Sequence, residues 1–164
     1  MGRVSTTVAI ALGSNLGDRR AYLQFAVERL SALLTGMRVS TFIESLPVDV
    51  AEPQPTYLNG VVVGETTLPA RELLDTLLAI EREQGRTRLT PRAPRTLDLD
   101  LILYGESVIN LPGLEVPHPR FRERSFVVDP LKEIAPELVD PVTGEALDGA
   151  QASRLKSAAR PAWG

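Results

Sequence analysis

Hydrophobic and polar residues alternate along the segment from Leu97 to Tyr104. Leucines occupy positions 97, 99, 101 and 103, and Asp98 and Asp100 fall between them. A period of two is typical of a β-strand whose two faces meet different surroundings. The pattern therefore predicts a strand with a row of leucines on the face that packs into the core and two neighbouring carboxylates on the other face.

Strand and helix patterns also alternate through the preceding part of the chain. Apolar and β-branched runs predict strands, and apolar residues spaced three or four apart predict helices. Asp18 is a candidate N-cap for the first helix, and Thr67 and Pro69 begin the second. The predicted elements are strands over 4–12, 38–45 and 57–67 and helices over 18–34 and 69–84, with Gly36 and Gly85 ending the two helices.

The order strand, helix, strand, strand, helix, strand predicts an α+β fold with a ferredoxin-like, split βαβ core. In that arrangement an antiparallel sheet carries both main helices on one face, and the other face stays free for loops or a ligand. The leucine row should face the helices, and the two aspartates should face the open side. We also expect a short strand over 107–110 that pairs with the aspartate strand, and additional C-terminal helical segments over 120–138, interrupted by Pro130 and Pro136.

Composition restricts the class of protein more than it identifies one. The 164 residues are 43% hydrophobic and 24% charged, so we expect one domain over residues 1–164, with a core of about 4–148 and a loosely packed tail over 149–164. A net charge of −3 argues against general nucleic-acid binding, and no apolar run reaches the length of a membrane span. With no cysteine and no signal-peptide pattern, the sequence predicts a cytoplasmic location. We also expect a monomer that binds small molecules and neither nucleic acid nor membrane.

Asp98 and Asp100 are the strongest candidates for a chemical role. Two carboxylates one pleat apart are costly on a strand built for burial, unless a cation such as Mg²⁺ neutralises them. A solvated strand face would tolerate the same pair without any function, and nearby arginines would then form ordinary surface ion pairs. Basic side chains on both flanks of the strand favour a site where a triphosphate lies between metal and guanidinium groups. These basic residues are Arg86, Arg88, Arg92 and Arg95 before the strand and His118 and Arg124 after it.

The sequence contains none of the familiar phosphate-binding loops. The Gly13–Gly17 turn follows a strand and precedes a helix, but its spacing fits neither a P-loop nor a kinase glycine loop. Tyr57, Asn59 and Phe126 are core or surface residues by default. As a set, two aromatic rings and an amide suit a flat heterocycle, which they would sandwich and hydrogen-bond.

Several segments of the chain resemble the 6-hydroxymethyl-7,8-dihydropterin pyrophosphokinase family of folate biosynthesis. The resemblance extends in order from about residue 7 to 148, and its most distinctive part is Arg-Thr-Leu-Asp-Leu-Asp at 95–100. The other matching segments are 11–17, 54–59, 80–86, 116–118 and 124–138. The resemblance implies a reaction in which ATP, as co-substrate, and the hydroxymethyl pterin give AMP and the pterin pyrophosphate, with two Mg²⁺ ions.

Position by position, the resemblance also implies roles for individual residues. Asp98 and Asp100 are the implied metal ligands, and with Arg86 and Arg95 they form the implied catalytic set. The residues implied in ATP binding are Glu81, Arg86, Arg88, Arg95, Leu101, His118 and Arg124. Those implied in pterin binding are Ser45, Leu46, Val48, Tyr57, Asn59 and Phe126.

Two other functions are compatible with the aspartate pair. One is another two-metal nucleotidyl or phosphoryl transferase, since polymerase palms also place paired aspartates on a ferredoxin-like sheet. Such an enzyme would not need a pterin sandwich at Tyr57 and Phe126. The other is a non-enzymatic ligand-sensing module, for which Asp98 and Asp100 would bring no advantage.

Overall fold

Seven β-strands and three α-helices form within residues 4–46, 56–84 and 97–147, which are the residues that the computed structural model describes. The strands are β1 (Thr6–Ser14), β2 (Thr35–Val39), β3 (Ile43–Ser45), β4 (Tyr57–Thr66), β5 (Asp98–Tyr104), β6 (Ile109–Leu111) and β7 (Leu114–Val116). The helices are α1 (Arg19–Ser31), α2 (Ala70–Glu83) and α3 (Ser125–Ile134), and a 3₁₀ turn over Phe121–Glu123 precedes α3. No helix in these ranges is long and apolar enough to cross a membrane.

The main sheet has the strand order β2-β4-β1-β5, and β3 pairs with β4 beside β2. Each of these pairings is antiparallel. Because β1 and β4 are central while α1 and α2 connect strands that are not neighbours, this is the split βαβ arrangement. The predicted ferredoxin-like fold is confirmed.

The helix face of the sheet carries the larger core. Alternate residues of β1 point into it, and they meet the apolar faces of α1 and α2. Asp18 caps α1 as predicted, since its Oδ1 accepts a hydrogen bond from the Ala21 N–H at 3.1 Å. Leu23, Ala26 and Leu30 are the buried residues of α1, and Tyr22, Phe25 and Leu33 pack against the same core.

The opposite face of the sheet is only partly open, which corrects the expectation that it stays free. Ala9, Ala11 and Val63 on this face pack against Phe121 and the apolar side of α3. The small alanines of β1 leave room for α3 on this face. Pro130 was expected to interrupt the helical segment, but it lies inside α3. As a result, α3 covers most of the second face and leaves one end of it for a ligand.

A β-bulge changes the predicted leucine row. Ala9 pairs with Leu103 and Ile10 pairs with Leu101, so Ile102 is an extra residue in β5. Leu97, Leu99 and Leu101 face the helices as predicted, but Leu103 lies in the second core beneath α3. The prediction for Leu103 was wrong because an inserted residue reverses the facing of every residue that follows it.

Element boundaries and one strand pairing also differ from the prediction. The segment 38–45 was predicted as one strand, but it contributes to both β2 and β3, which pair separately with β4. Gly36 does not end α1, which stops at Ser31; it lies in β2 with a φ of +59°. The short strand β6 pairs with β7 and not with β5. Gly85, the predicted end of the second helix, and the predicted tail over 149–164 lie outside the described residues.

Candidate active site

The uncovered end of the sheet brings together residues from three neighbouring strands. Gly13 of β1 pairs in register with Asn59 of β4 on one side and with Asp98 of β5 on the other. Residues paired across antiparallel strands lie on the same face of the sheet. The asparagine and the aspartate therefore flank a position that has no side chain.

A cavity of about 170 Å³, here called the sheet cavity, lies over this position. It includes two elements of the predicted site, the aspartate pair and the set expected to hold a heterocycle. Its lining residues are Ala11, Leu12, Gly13, Ser45, Leu46, Tyr57, Asn59, Gly60, Asp98, Asp100, Arg124, Phe126 and Val127. One space thus joins residues that are up to 116 positions apart, from Ala11 to Val127.

Gly13 leaves the floor of the sheet cavity open. A Cβ atom at this position would lie 3.4 Å from Tyr57 Cδ1 and 3.5 Å from Asn59 Oδ1. Its backbone is extended, so a larger side chain is sterically possible there, and it would project between Tyr57 and Asn59. The backbone conformation does not require a glycine here. Its lack of a side chain keeps the space between Tyr57 and Asn59 open.

The side chain of Asn59 is held in one orientation. Its exposed fraction is 5%, and its Nδ2 donates to Ser45 Oγ at 2.8 Å and to the Ile43 carbonyl at 3.2 Å. Because these bonds use both hydrogens of the amide nitrogen, they fix the Oδ1 atom on the side of Gly13. An acceptor oriented in this way suits an N–H or amino group of a ligand.

A second and larger space, here called the helix groove, has a volume of about 880 Å³. It lies between α2, the exposed side of β5 and the β6–β7 hairpin. Asp98 and Asp100 line this groove as well as the sheet cavity. The remaining lining residues are Arg71, Leu74, Leu78, Arg82, Leu99, Leu101, Asn110, Leu111, Pro112, Gly113, Leu114, Glu115, His118 and Pro119.

The two aspartates thus stand at the boundary between the two spaces. Both are half-buried, and within the described ranges no group of three or more acidic, histidine or cysteine side chains is arranged to hold a metal ion. Mg²⁺ is commonly bound through one or two carboxylates, with water and substrate phosphates completing its shell. The donor set fits Mg²⁺ that arrives with a phosphate ligand.

His118 is held at the edge of the helix groove by its own backbone and that of its neighbours. The backbone N–H of His118 donates to the Ile102 carbonyl at 2.9 Å, and the imidazole Nδ1 accepts from the backbone N–H of Arg120 at 3.2 Å. Burial lowers the pKa of His118 to about 4; the charges of Arg124 and Arg120 act in the same direction, and Asp98 opposes them. At neutral pH the imidazole is uncharged, and the engaged Nδ1 assigns its proton to Nε2.

Glu81 of α2 is buried beneath β5. Its exposed fraction is 1%, and its Oε2 accepts a hydrogen bond from the Leu99 N–H at 2.6 Å. It is absent from the linings of the sheet cavity and the helix groove. Its assignment to the nucleotide site stays a prediction.

Comparison with known proteins identifies the family. Residues 9–136 match the family described as 7,8-dihydro-6-hydroxymethylpterin-pyrophosphokinase (HPPK). The chain belongs to this family. An HPPK is a transferase that moves pyrophosphate from ATP to hydroxymethyldihydropterin in folate synthesis, so the predicted family, enzyme class, reaction and co-substrate are confirmed. The two alternative functions are thereby set aside.

Relatives from several organisms resemble this chain over most of the chain's length. The chain is 45% identical over 141 residues to a 2-amino-4-hydroxy-6-hydroxymethyldihydropteridine pyrophosphokinase of Synechocystis sp., covering 84% of this chain and 71% of the relative. A Pseudomonas aeruginosa protein of the same name is 44% identical over 133 residues, covering 80% and 82%. The chain is also 43% identical over 140 residues to the Folic acid synthesis protein fol1 of Pneumocystis carinii, where it covers 84% of itself but only 18% of that longer protein.

Solved structures support the same fold for this HPPK. The Plasmodium falciparum HPPK-DHPS wild type with pteroate has a TM-score of 0.68 at 13% identity, and the match covers 95% of this chain and 44% of that chain. At this identity the likeness concerns the fold alone. The chain spans less than half the length of these fused proteins.

The described structure unites many, but not all, of the residues that the HPPK resemblance assigns. The residues implied in pterin binding line the sheet cavity, except Val48, and Leu101 and His118 line the helix groove. Arg124, assigned to the triphosphate, lines the sheet cavity beside the aspartates. Four assigned residues lie outside the described part of the chain: Arg86, Arg88, Arg95 and Val48.

Three residues that line these two spaces are absent from the predicted site residues. Gly13 is one of them, and its place near the end of β1, within the matching segment 11–17, is a signal that could have indicated it. Arg71 and Arg82 line the helix groove from α2. With Leu74 and Leu78 they recur at intervals of three or four, which places them on one helix face.

Proposed function

We propose that this chain carries out the HPPK reaction where the sheet cavity meets the helix groove, with the pterin in the cavity and ATP in the groove. The observation that carries the proposal is the position of Asp98 and Asp100, which line both spaces. A group transferred from one substrate to the other must pass this boundary. The carboxylates are therefore placed at the point of transfer.

The sheet cavity suits a pterin ring. Tyr57 and Phe126 supply aromatic surfaces, and the fixed Oδ1 of Asn59 supplies an acceptor between them. Ser45 and Leu46 complete the wall, and Val48 is assigned to it by the family resemblance alone. The hydroxymethyl group would then point toward Asp98 and Asp100.

The helix groove suits ATP. Leucines of α2, β5 and β7 provide an apolar wall for the base, and the Nε2–H of a neutral His118 provides a donor for a phosphate oxygen. Arg124 and the arginines at 86, 88 and 95 are assigned to the triphosphate, and Glu81 to the nucleotide site. One copy of the chain lines both spaces, so we infer that it acts as a monomer.

Asp98 and Asp100 would hold two Mg²⁺ ions together with the triphosphate. When bound, these ions supply charge neutralisation of the triphosphate and polarisation of the β-phosphoryl group. The chain's own residues orient the two substrates, and Arg86, Arg95 and His118 stabilise charge on the transferred group and on the departing phosphate.

The proposed transfer forms one bond and breaks one. The hydroxymethyl oxygen of the pterin attacks the β-phosphorus of ATP, and the bond from that phosphorus to the α–β bridging oxygen breaks. The bridging oxygen leaves with AMP, and the hydroxyl proton passes to water. A loose phosphoryl-transfer transition state places little demand on a general base.

Product analysis tests this proposal directly. The protein is mixed with Mg²⁺, ATP and 6-hydroxymethyl-7,8-dihydropterin, and the nucleotide products are identified by chromatography and ³¹P NMR. AMP in equal amount to the pterin pyrophosphate supports it. ADP as the product would indicate a simple kinase and would contradict it, and a reaction without pterin would indicate ATP hydrolysis.

A further inference from the structure

The strand that carries the aspartates lies at an edge of the main sheet. Within the described residues β5 pairs only with β1, so alternate N–H groups of β5 point away from the sheet. The Leu99 N–H is one of them, and it lies between Asp98 and Asp100. An edge N–H that is buried needs an acceptor from another part of the protein.

Glu81 supplies this acceptor from α2. The distance from Leu99 N to Glu81 Oε2 is 2.6 Å, and the carboxylate is almost fully buried. A hydrogen bond to an ionised acceptor is shorter and stronger than one between neutral groups. The bond connects the part of β5 that carries the two aspartates to α2. This helix packs into the main core through Leu77 and Ile80.

We propose that Glu81 is a positioning residue for the aspartate pair and acts through the Leu99 N–H. By fixing this amide, Glu81 sets the spacing and direction of Asp98 and Asp100, and so the affinity of the site for a divalent cation with a nucleotide. This inference rests on the proposed function, because it takes the aspartates to be metal ligands. It differs from the assignment of Glu81 to direct nucleotide contact.

Two substitutions of Glu81 distinguish a positioning role from a role that depends on charge alone. Glu81→Gln keeps the length of the side chain and an acceptor oxygen but loses the charge. Glu81→Asp keeps the charge but is one methylene shorter, so its oxygen cannot reach Leu99 in the same geometry. Positioning predicts that Glu81→Asp is the more harmful change, whereas a role of charge alone predicts the reverse. Glu72→Gln and Glu72→Asp, on the exposed side of the same helix, are the matched controls.

The first measurement is amide hydrogen exchange in the protein without nucleotide. We expect exchange at Leu99 to be at least about tenfold faster in Glu81→Asp than in the wild type, while Ile10 in the centre of the sheet keeps its protection. In Glu81→Gln and in both Glu72 variants, Leu99 should stay within about threefold of the wild type. This measurement does not depend on any activity.

The second measurement is Mn²⁺ binding in the presence of α,β-methylene ATP, followed by the electron paramagnetic resonance of free Mn²⁺. Residues that orient metal ligands typically change metal affinity by about 10- to 100-fold, and we expect a loss in this range for Glu81→Asp and less than about fivefold for Glu81→Gln. Wild-type affinity in Glu81→Asp, or a larger loss in Glu81→Gln than in Glu81→Asp, would overturn the proposal. Failure of the wild type to bind Mn²⁺ with the analogue would instead contradict the proposed function.

Discussion

At the scale of single residues, the alternation of Asp98 and Asp100 with buried leucines decides where chemistry can occur. The strand buries Leu99 and Leu101 on one face, so the two carboxylates are forced to the other face. Because α3 covers most of that face, the aspartates lie at the part that remains accessible. Burial of the leucines and exposure of the carboxylates are thus consequences of one pattern.

We expect Asp98→Asn and Asp100→Asn each to reduce turnover by roughly 100-fold or more, because metal-ion catalysis supplies several kcal/mol and each 1.4 kcal/mol is about tenfold. The free energy of unfolding should change by less than about 1 kcal/mol, since asparagine keeps the size and shape of the half-buried side chain. Steady-state kinetics and urea denaturation measure the two effects. Near-normal turnover in both variants would contradict the metal site.

Gly13 belongs to the same face, and its substitution tests the sheet cavity separately from the metal site. We expect Gly13→Val to raise the KM for the pterin by about tenfold or more, equivalent to a loss of about 1.4 kcal/mol of binding, because its methyl groups enter the space beside Tyr57 and Asn59. Binding of an ATP analogue, measured by calorimetry, should be unchanged and serves as the control. Equal losses for both ligands would place the pterin elsewhere.

His118 should make the protein sensitive to mild acid. The pKa is about 4 in the folded chain and about 6.5 when unfolded, so below pH 6.5 the unfolded chain binds a proton that the folded chain does not. Stability from this group is therefore complete above pH 6.5 and is lost as the pH falls toward 4. We expect the urea midpoint of the wild type to decrease more between pH 7 and pH 4.5 than that of His118→Gln. Equal decreases would show that His118 does not hold a lowered pKa.

At the scale of elements, an ion pair joins the 3₁₀ turn before α3 to the chain segment after it. Arg122 donates from Nε and a terminal nitrogen to Asp140 at 2.5 and 2.7 Å, and the Val142 N–H donates to the same carboxylate at 2.9 Å. Burial alone would raise the pKa of Asp140, but its bonds to Arg122 and the backbone outweigh it and lower the pKa. The pair fixes the entry to the helix that carries Phe126.

We expect Asp140→Asn to lower the free energy of unfolding by about 1–3 kcal/mol, since it weakens hydrogen bonds to a charged group whose exposed fraction is 4%. Glu123→Gln is the control, because Glu123 pairs with Arg120 on the surface at 3.6 Å and such pairs contribute at most about 1 kcal/mol. Urea denaturation at neutral pH measures both. Similar effects of the two substitutions would mean that burial adds nothing to the Arg122–Asp140 pair.

The strands and helices also show which features of the fold could be predicted from the sequence alone. Periodicity predicted β1, β4, both main helices and the facing of β5 up to Leu101, because these depend on residues close in sequence. The bulge at Ile102 depends on which residues of β1 lie opposite, and the covering of the second face depends on where α3 packs. Neither property is local. The sequence therefore indicated several residues that line the sheet cavity, but it could not indicate that α3 encloses the cavity on one side.

At the scale of the whole molecule, the second core includes described residues up to the end of the described chain. Leu147 is the last of these, with an exposed fraction of 5%, and its N–H donates to the Leu138 carbonyl at 2.8 Å. Val139 and Ala146 form a β-bridge beside it. The end of the described chain thus closes the second core under α3.

A pair of truncations tests whether the domain ends there. A chain that stops after Asp148 keeps Leu147 and Asp140, so we expect its urea midpoint and kcat/KM to match the full chain within error. A chain that stops after Val139 loses both the buried leucine and the partner of Arg122, and we expect it to lose at least about 3 kcal/mol of stability, since burial of one leucine contributes about 1.5–3 kcal/mol and the charged hydrogen bonds add to it. Loss of activity in the first truncation with an unchanged midpoint would assign a functional role to residues 149–164, whereas a lowered midpoint would refute a core that ends near 148.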